Sequence, residues 1–504
     1  MKILILNGSP AGRDSITLQI VEYLKIFFPK HDYETLHAGQ QIRNIEKDFT
    51  ESKNKLEAAD LILFCYPVYT FLVPAQLHRF IELIKESNAE ISGKYATQIS
   101  TSKHFYDTTA HRYIEDICED LQLKYVRGLS ADMEDILTEK GQKEAKNFFS
   151  FLLWNIQNGF CETPSVRPAA MFTPVKATTS VIASTPAKMA IPAKASTLAK
   201  TPDIAELSDT SFDTSSEISF EKSLAKMPAD SSEKDNLHVA LVTDFDPEFP
   251  YEALVAMIRR FENTLPGNVE MVNLREYPFK GGCLGCFHCA SDGTCVYNDG
   301  FSDYLREHIN SADAVVFAYT IKDHSMGYRF KLYDDRQFCN GHRTVTMGKP
   351  VGYLVDGNLT QEENLRTLME ARAQVGGNYL AGIASDESDP DGQIDRMTMT
   401  LVYAIQHNYT QPKNFYGIGG LKIFRDLIYE MRGLMKEDHR FYKKHGFYDF
   451  PQKRKGRIAG MYLVSALMNN KMMRKKLKFS MTDGMMMPYK KVLEQARTYS
   501  RRDL

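Results

Sequence analysis

The chain has 504 residues, 43% of them apolar and 25% charged, with 62 Lys and Arg against 64 Asp and Glu. That length is too great for one hydrophobic core, and the composition excludes the disordered and fibrous classes. The formal charge of -2 provides no whole-chain attraction to nucleic acid, and no groove-reading motif is present.

The opening MKILILNGSP reads as a strand at Ile3 to Leu6 rather than a secretion signal, because Asn-Gly-Ser-Pro follows the short apolar run at once. A bilayer span needs roughly 18 uninterrupted apolar residues. The nearest stretch, Ile458 to Met468, is broken by Gly460 and Ser465. A cytoplasmic, reducing setting is the expectation for a chain whose cysteines are clustered rather than spread as a disulfide framework. After the first strand come a helix from about Thr17 to Phe28, a strand at Leu61 to Cys65, a helix at Pro74 to Ile84 and a strand at Tyr95 to Ser100. A helix near Thr109 to Glu119, a strand near Leu123 to Val126 and a helix from about Gly141 to Trp154 complete this half. Alternating short apolar runs and helical periods predict a doubly wound parallel α/β domain of five strands over residues 1–160.

Residues 161–236 differ in composition. From 162 to 236 there are seven prolines, no glycine and three aromatics within runs of Ala, Ser, Thr and Lys. Such a segment buries too little apolar surface to offset its ordering entropy and is expected to be a linker. Over residues 237–410 the alternation returns, with strands at Val239 to Thr243, Val269 to Asn273, Ala314 to Tyr319, Val351 to Val355 and Tyr379 to Ile383. Ala59 to Tyr66 aligns without gaps on Ala312 to Tyr319 at an offset of 253, while the first strands align at an offset of 236. The second half therefore reads as a duplicate carrying a 17-residue insertion, in which a cysteine cluster lies. Residues 411–504 are expected to form a Met-rich helical extension, and from 421 onward they hold 21 Lys and Arg against 8 Asp and Glu. Its basic runs at 452–457 and 471–476 suit an anionic membrane surface, a nucleotide or an acidic partner, or else simply face solvent on helices packed against the rest of the chain.

Between the first strand and helix lies Asn7-Gly8-Ser9-Pro10-Ala11-Gly12-Arg13-Asp14-Ser15-Ile16-Thr17. A turn rich in Gly and hydroxyls at a helix N-terminus aims backbone N–H groups at phosphate. It lacks both the Walker and the G-x-G-x-x-G pattern, which leaves a mononucleotide phosphate. Taken alone, the loop reads first as an ordinary βα turn capped by Ser or Asp. The next strands end in Pro67-Val68-Tyr69-Thr70-Phe71-Leu72-Val73-Pro74-Ala75-Gln76-Leu77 and in Thr101-Ser102-Lys103-His104-Phe105, aromatic and polar loops that would share a crevice with that turn. These loops resemble those of the flavodoxin-like, NAD(P)H-dependent FMN reductases, although Gly12 and Arg13 blur one motif and His78 stands where Lys is usual in the other. The resemblance implies FMN, with Ser9, Arg13, Ser15 and Thr17 on its phosphate and Pro67, Val68, Tyr69, Thr101 and Ser102 on its ring. NAD(P)H is the implied electron donor.

The second half carries Cys283, Cys286, Cys289 and Cys295 in a C-x2-C-x2-C-x5-C run, too closely spaced for the usual paired zinc knuckles. With Asp299-Gly300 and Lys331-Leu332-Tyr333-Asp334-Asp335-Arg336, the run resembles the iron-sulfur flavoproteins, which implies a [4Fe-4S] cluster on those four thiols. Reduced thiols in a loop are the alternative. Cys339, with His324, Arg336, His342 and Arg343, lies in a later polar stretch, either as a fifth metal-site residue or as a small buried side chain. The second half's first loop, Asp244-Phe245-Asp246-Pro247-Glu248, has carboxylates where a phosphate cradle would be, and its Pro-Val-Tyr has become Thr320-Ile321-Lys322.

The reading is therefore an FMN-dependent oxidoreductase passing electrons from NAD(P)H, or an iron-sulfur donor, to a small acceptor. The two halves are expected to pair as an intramolecular pseudo-dimer, unless the chain forms a homo-oligomer. No side-chain acid or base is needed for hydride or electron transfer. A flavin and iron-sulfur electron carrier or redox sensor that exchanges electrons with protein partners is the alternative.

Overall fold

In a computed structural model the described residues are 1–162, 237–246 and 251–469. The linker expectation for 163–236, Glu248, and the extension beyond 469 lie outside them. Strand β1 (Lys2–Asn7) is buried on both faces, as a central parallel strand must be when helices cover both sides. It pairs in parallel with β2 (Asp32–Leu36) and β3 (Leu61–Pro67), and β4 (Tyr95–Ser102) continues the sheet. With β5 (Lys124–Tyr125) beyond β4, the order is β2-β1-β3-β4-β5, the flavodoxin-like arrangement. Its helices are α1 (Ile16–Phe27), α2 (Ala38–Ile45), α3 (Thr50–Ala58), α4 (Ala75–Ser87), α5 (Asp107–Asp120) and α6 (Glu139–Gln157).

Two features of this half escape the hydrophobic pattern. Strand β2 reads DYETL and is mostly half-buried, an edge strand with no apolar run to announce it. The last position is shared by two short strands, β5 (Lys124–Tyr125) and β6 (Leu129–Asp132), pairing with the beginning and end of β4. The break falls at Gly128, where a Cβ would lie 2.3 Å from the Gln98 side chain and carbonyl oxygen. Gln98 is committed there, donating to the Tyr125 hydroxyl and accepting from that of Tyr66 at 2.5 Å.

The second sheet repeats the first with strands β7 (Leu237–Thr243), β8 (Gly267–Asn273), β9 (Ala314–Thr320), β10 (Pro350–Asp356) and β11 (Tyr379–Ser385), in the order β11-β10-β9-β7-β8. Its helices include α7 (Glu252–Thr264), the short α8 (His288–Asp292) and α9 (Phe301–Tyr304), α10 (Gly327–Arg336), α11 (Glu363–Gly376) and α12 (Pro390–Gln406). Pairing registers carry the duplication: Ile3 faces Leu61 in one sheet and Val239 faces Ala314 in the other, offsets of 236 and 253. The turn after the third strand is duplicated in conformation as well. Thr70 and Phe71 have φ of 40° and 70°, and Asp323 and His324 have 49° and 56°. In each case the residues on either side of this pair exchange two backbone hydrogen bonds, Tyr69 with Leu72 and Lys322 with Ser325. Left-handed backbone at two consecutive residues with side chains is strained and needs external support.

That support comes from the opposite half. The Ala75 N–H at the start of α4 donates to Asp335 Oδ2 on α10 at 2.7 Å, and the Tyr328 N–H at the start of α10 donates to Glu82 Oε1 on α4 at 2.9 Å. Each helix thus supplies a carboxylate that caps the other's N-terminus, where the backbone partial charge is positive. Asp335 also accepts from the Thr70 hydroxyl at 3.2 Å, while Lys85 pairs with Asp323 at 2.7 Å, so both strained turns are gripped across the pair. Lys331 is fully buried between Asp335, its ion-pair partner, and the Tyr69 carbonyl at 2.8 Å. His324 bridges Asp120 at 3.1 Å and Glu362 at 3.0 Å.

By chain contacts the two sheets, through Gly420, form one unit, from which Phe287–Thr294 and Asn340–Arg343 are excluded. A second unit gathers those two segments with the chain from Leu421 onward. In it, α13 (Phe415–Glu430) and α14 (Lys436–Lys444) enclose Ile428, Met435 and Tyr442, and α15 (Lys455–Asn469) follows. Buried Asp438 accepts from His342 Nδ1 at 2.9 Å, tying the 340–343 segment to α14. Among the described residues no helix is long and apolar enough to cross a membrane.

Two outcomes follow for the pairing of the halves. Asp335→Ala leaves the Lys331 ammonium buried without its carboxylate and uncaps α4, an expected loss of about 3–5 kcal/mol. Adding Lys331→Met removes the stranded cation, so melting of the full-length variants should rank wild type, double variant, single variant. Burial alone would lower the His324 pKa, but hydrogen bonds and charge from Asp120 and Glu362 outweigh it and raise the value from 6.5 to about 10. The imidazolium's stabilisation is therefore complete below about pH 6.5 and is lost as pH rises through about 10. The melting temperature is expected to fall over that window, less steeply for His324→Phe, which carries the residue of the matching position in the first half.

Candidate functional site

The turn after β1 is shaped by its own side chains. Asn7 is buried, accepting from the Ser9 N–H at 3.1 Å and donating to the Gly12 carbonyl at 2.7 Å, which folds the loop back on the strand. Gly8 has no room for a Cβ, since one would meet the Leu77 side chain at 2.5 Å. Ser9 and Ser15 are both buried. The Ser9 hydroxyl accepts from the Ala11 N–H at 3.3 Å, and the Ser15 hydroxyl caps α1 by accepting from the Leu18 N–H at 3.4 Å. A hydroxyl that accepts still has its O–H to donate, so both serines keep a donor for an anion beside the α1 N-terminus. Arg13 lies exposed on the turn next to Asp14.

Thr17, fully buried on the first turn of α1, shares a 2.6 Å hydrogen bond with the Thr101 hydroxyl at the end of β4. Pro67 ends β3 opposite Thr101, and the Val68 N–H donates to the Thr101 carbonyl at 3.0 Å. The turn, the β3 loop and the β4 loop therefore meet at the carboxyl ends of adjacent strands β1, β3 and β4, where a doubly wound sheet opens its crevice. Ser102 is buried and accepts from the His104 N–H at 2.9 Å. Thr17, Pro67 and Val68 each meet Thr101, Ser9 and Ser15 join through the turn, and Tyr69 and Ser102 adjoin them in sequence. This arrangement of buried hydroxyls, a helix N-terminus and an adjoining aromatic loop fits a flavin mononucleotide, with the phosphate at the turn and the ring at the loops.

The cysteine segment approaches this same edge from the second half. Gln76 on α4 donates to the Cys283 carbonyl at 3.3 Å, and a Cβ on Gly285 would sit 2.1 Å from the Tyr69 hydroxyl. Burial, with negative charge from Cys283, Asp335 and Cys286, pushes the Tyr69 phenol well above its ordinary range and keeps it neutral. The segment is anchored at both ends by Arg336, which is nearly fully buried. Arg336 donates to the Gly281 carbonyl at 2.9 Å and makes a bidentate pair with Asp299 at 2.7 and 2.8 Å, with the Tyr297 ring 4.3 Å from the guanidinium carbon. Sequence reasoning singled out Arg336 but not Gln76, whose partner is two hundred residues away in the chain.

Cys283 accepts from the Gly285 N–H at 3.4 Å, Cys286 is exposed, and Cys289 and Cys295 are partly exposed. Among the described residues no three His, Cys, Asp or Glu side chains are gathered as a metal site, so the thiols suit a cluster by chemistry and spacing but are not arranged around one. Cys339 is buried in the turn that follows α10. At the first loop of the second sheet, Asp244 is held by Lys322 at 3.4 Å and Asp246 by Arg275 at 3.0 Å. Side-chain carboxylates thus pair with these cations where the first half has its hydroxyl-rich turn.

Residues 1–128 match the family described as NADPH-dependent FMN reductase. A protein described as an iron-sulfur flavoprotein from Archaeoglobus fulgidus is 27% identical over 174 residues, covering 33% of this chain and 79% of that protein. Among solved structures, an FMN-dependent NADH-azoreductase from Bacillus anthracis in complex with FMN is 15% identical, covering 30% of this chain and 98% of its own, with a TM-score of 0.24. An NADPH-quinone reductase from P. pentosaceus is 17% identical, covering 31% and 97%, with a TM-score of 0.25.

Arg336→Lys keeps the charge but loses the bidentate fork. Faster hydrogen exchange over 281–299 is the expected result, with exchange in β1 to β4 unchanged.

Proposed function

We propose that this chain, whose residues 1–128 match the family described as NADPH-dependent FMN reductase, is an oxidoreductase with FMN held by its first half. Reduced nicotinamide nucleotide is the electron donor and a small molecule the acceptor in this reading, in a cytoplasmic setting. The observation that supports it most directly is the Thr17–Thr101 hydrogen bond, which locks the hydroxyl-rich turn to the two loops that would face the ring. Ser9, Ser15, Thr17 and the first amides of α1 bind the phosphate, with Arg13 closing over it from the exposed side. Pro67, Val68, Tyr69, Thr101 and Ser102 border the ring and exclude water from one face of it. FMN, when bound, supplies the hydride and electron transfer; the chain supplies position and a neutral phenol beside it.

The proximity of Cys283 and Cys286 to Tyr69 favours a second component, a [4Fe-4S] cluster held by Cys283, Cys286, Cys289 and Cys295 and presented to the first half's flavin loop. With it the chain would also be fitted to act as an electron carrier between protein partners.

Titration of FMN into the full-length protein tests the reading. Quenched flavin fluorescence and a raised melting temperature are expected, with Ser9→Ala and Thr17→Val each weakening binding about tenfold or more, the cost of one hydrogen bond to a charged group. Unchanged fluorescence and melting on adding FMN would overturn it. Iron and sulfide assays on anaerobically purified protein separate the two components: flavin without iron removes the cluster and leaves the reductase. NAD(P)H oxidation that fails with every soluble acceptor decides for the carrier.

A further inference from the structure

Helix α15 (Lys455–Asn469) exposes a cluster of apolar side chains. Ile458, Met461, Tyr462 and Leu463 are 42%, 59%, 76% and 64% exposed. From Ile458 to Asn470 the sequence carries no charge, whereas Lys453, Arg454, Lys455 and Arg457 precede it and Lys471, Arg474, Lys475, Lys476 and Lys478 follow. Exposing such a helix to water is unfavourable, and a large exposed apolar patch marks a surface that is covered in use.

We propose that α15 docks on the surface of an anionic lipid bilayer, its apolar side chains in the headgroup and acyl boundary and Arg454, Lys455 and Arg457 at its start on lipid phosphates and carboxylates. Three observations favour this occupant. The uncharged run from Ile458 to Asn470 would be about 20 Å long as a helix, short of the roughly 30 Å hydrocarbon core, so it can lie in the interface but not span it. Basic clusters on both sides of an uncharged run would repel a second copy of the same segment, whereas they attract a negative surface. A nucleic acid would satisfy the cations but leave Met461, Tyr462 and Leu463 in water; a lipid surface satisfies both.

Co-sedimentation of the full-length protein with vesicles tests this, comparing phosphatidylcholine alone with phosphatidylcholine mixed with phosphatidylserine. Binding to the mixed vesicles only, weakened by salt, is expected. Leu463→Glu paired with Met461→Glu should abolish it, and each of Arg454→Gln, Lys455→Gln and Arg457→Gln should reduce partitioning about fivefold. All five positions are exposed, so melting temperatures should match the wild type and separate lost binding from lost fold. Binding to neither vesicle, equal binding to both, or binding that survives the Leu463→Glu and Met461→Glu changes would overturn the proposal. So would concentration-dependent dimerisation in the ultracentrifuge that those changes abolish, which would assign the surface to a second copy.

Discussion

The reciprocal capping of α4 and α10 is the constraint on which the rest of the molecule depends. Glu82 and Asp335 occupy matching positions in the two halves, as do Ala75 and Tyr328 whose amides they bind, so one interaction is made twice around a two-fold-like relation. Each carboxylate meets a helix N-terminus away from water, where attraction is weakly screened. The same two helices follow the strained turns at Thr70–Phe71 and Asp323–His324. Holding the helices therefore holds the turns, and Tyr69 and Lys322 on those turns are placed as a consequence. His78 and Lys331 also match; the lysine reaches the opposite half's Tyr69 carbonyl, while the histidine stacks on Tyr113 of its own half, with ring centroids 5.2 Å apart. The pairing is symmetric where it caps and asymmetric where it reaches the site.

Asymmetry extends to the chemistry. Once two copies are joined in one chain, a substitution in one need not appear in the other, and each half can keep only part of the original apparatus. In the first half the β1 turn retains small and hydroxyl residues. In the second the corresponding loop holds Asp244 and Asp246, paired with Lys322 and Arg275 from the same half. Lys322 stands at the position matching Tyr69, so the side chain that would border a ring now neutralises a carboxylate. What the second half retains is the segment anchored by Arg336, which lies against Tyr69 and Gln76 of the other half.

The sequence made much of this legible. Strands buried on both faces declare themselves as apolar runs, and the offsets of 236 and 253 reappear in the ladders because register follows side-chain alternation. Edge strand β2 could not be found that way, and the split of β5 from β6 depends on Gly128 packing over Gln98, which is not a local signal. The Lys-Leu-Tyr-Asp-Asp-Arg motif was visible but its meaning was not. Lys331 and Asp335 serve the α4 start, Asp334 is buried against Arg372, and Arg336 serves Gly281 and Asp299, partners that only the fold brings near. One turn of helix thus distributes its charges in three directions.

That distribution bears on how the cysteine segment can respond to a change at the site. Arg336 and Asp335 are adjacent, the first fixing both ends of the 281–299 segment and the second fixing the start of α4 and the Thr70 turn. A displacement of the Tyr69 loop is therefore resisted at Asp335, one residue from the side chain that holds the cysteines, on a helix whose interior is fully buried. Close-packed interiors transmit such strain rather than absorb it. The glycines lie where that stiffness ends: Gly281 and Gly285 have φ of 149° and 65°. Both conformations are open to glycine without strain, so the turns that bring Cys283 and Cys286 up to Tyr69 are made at glycine while Arg336 holds the segment at Gly281 and Asp299.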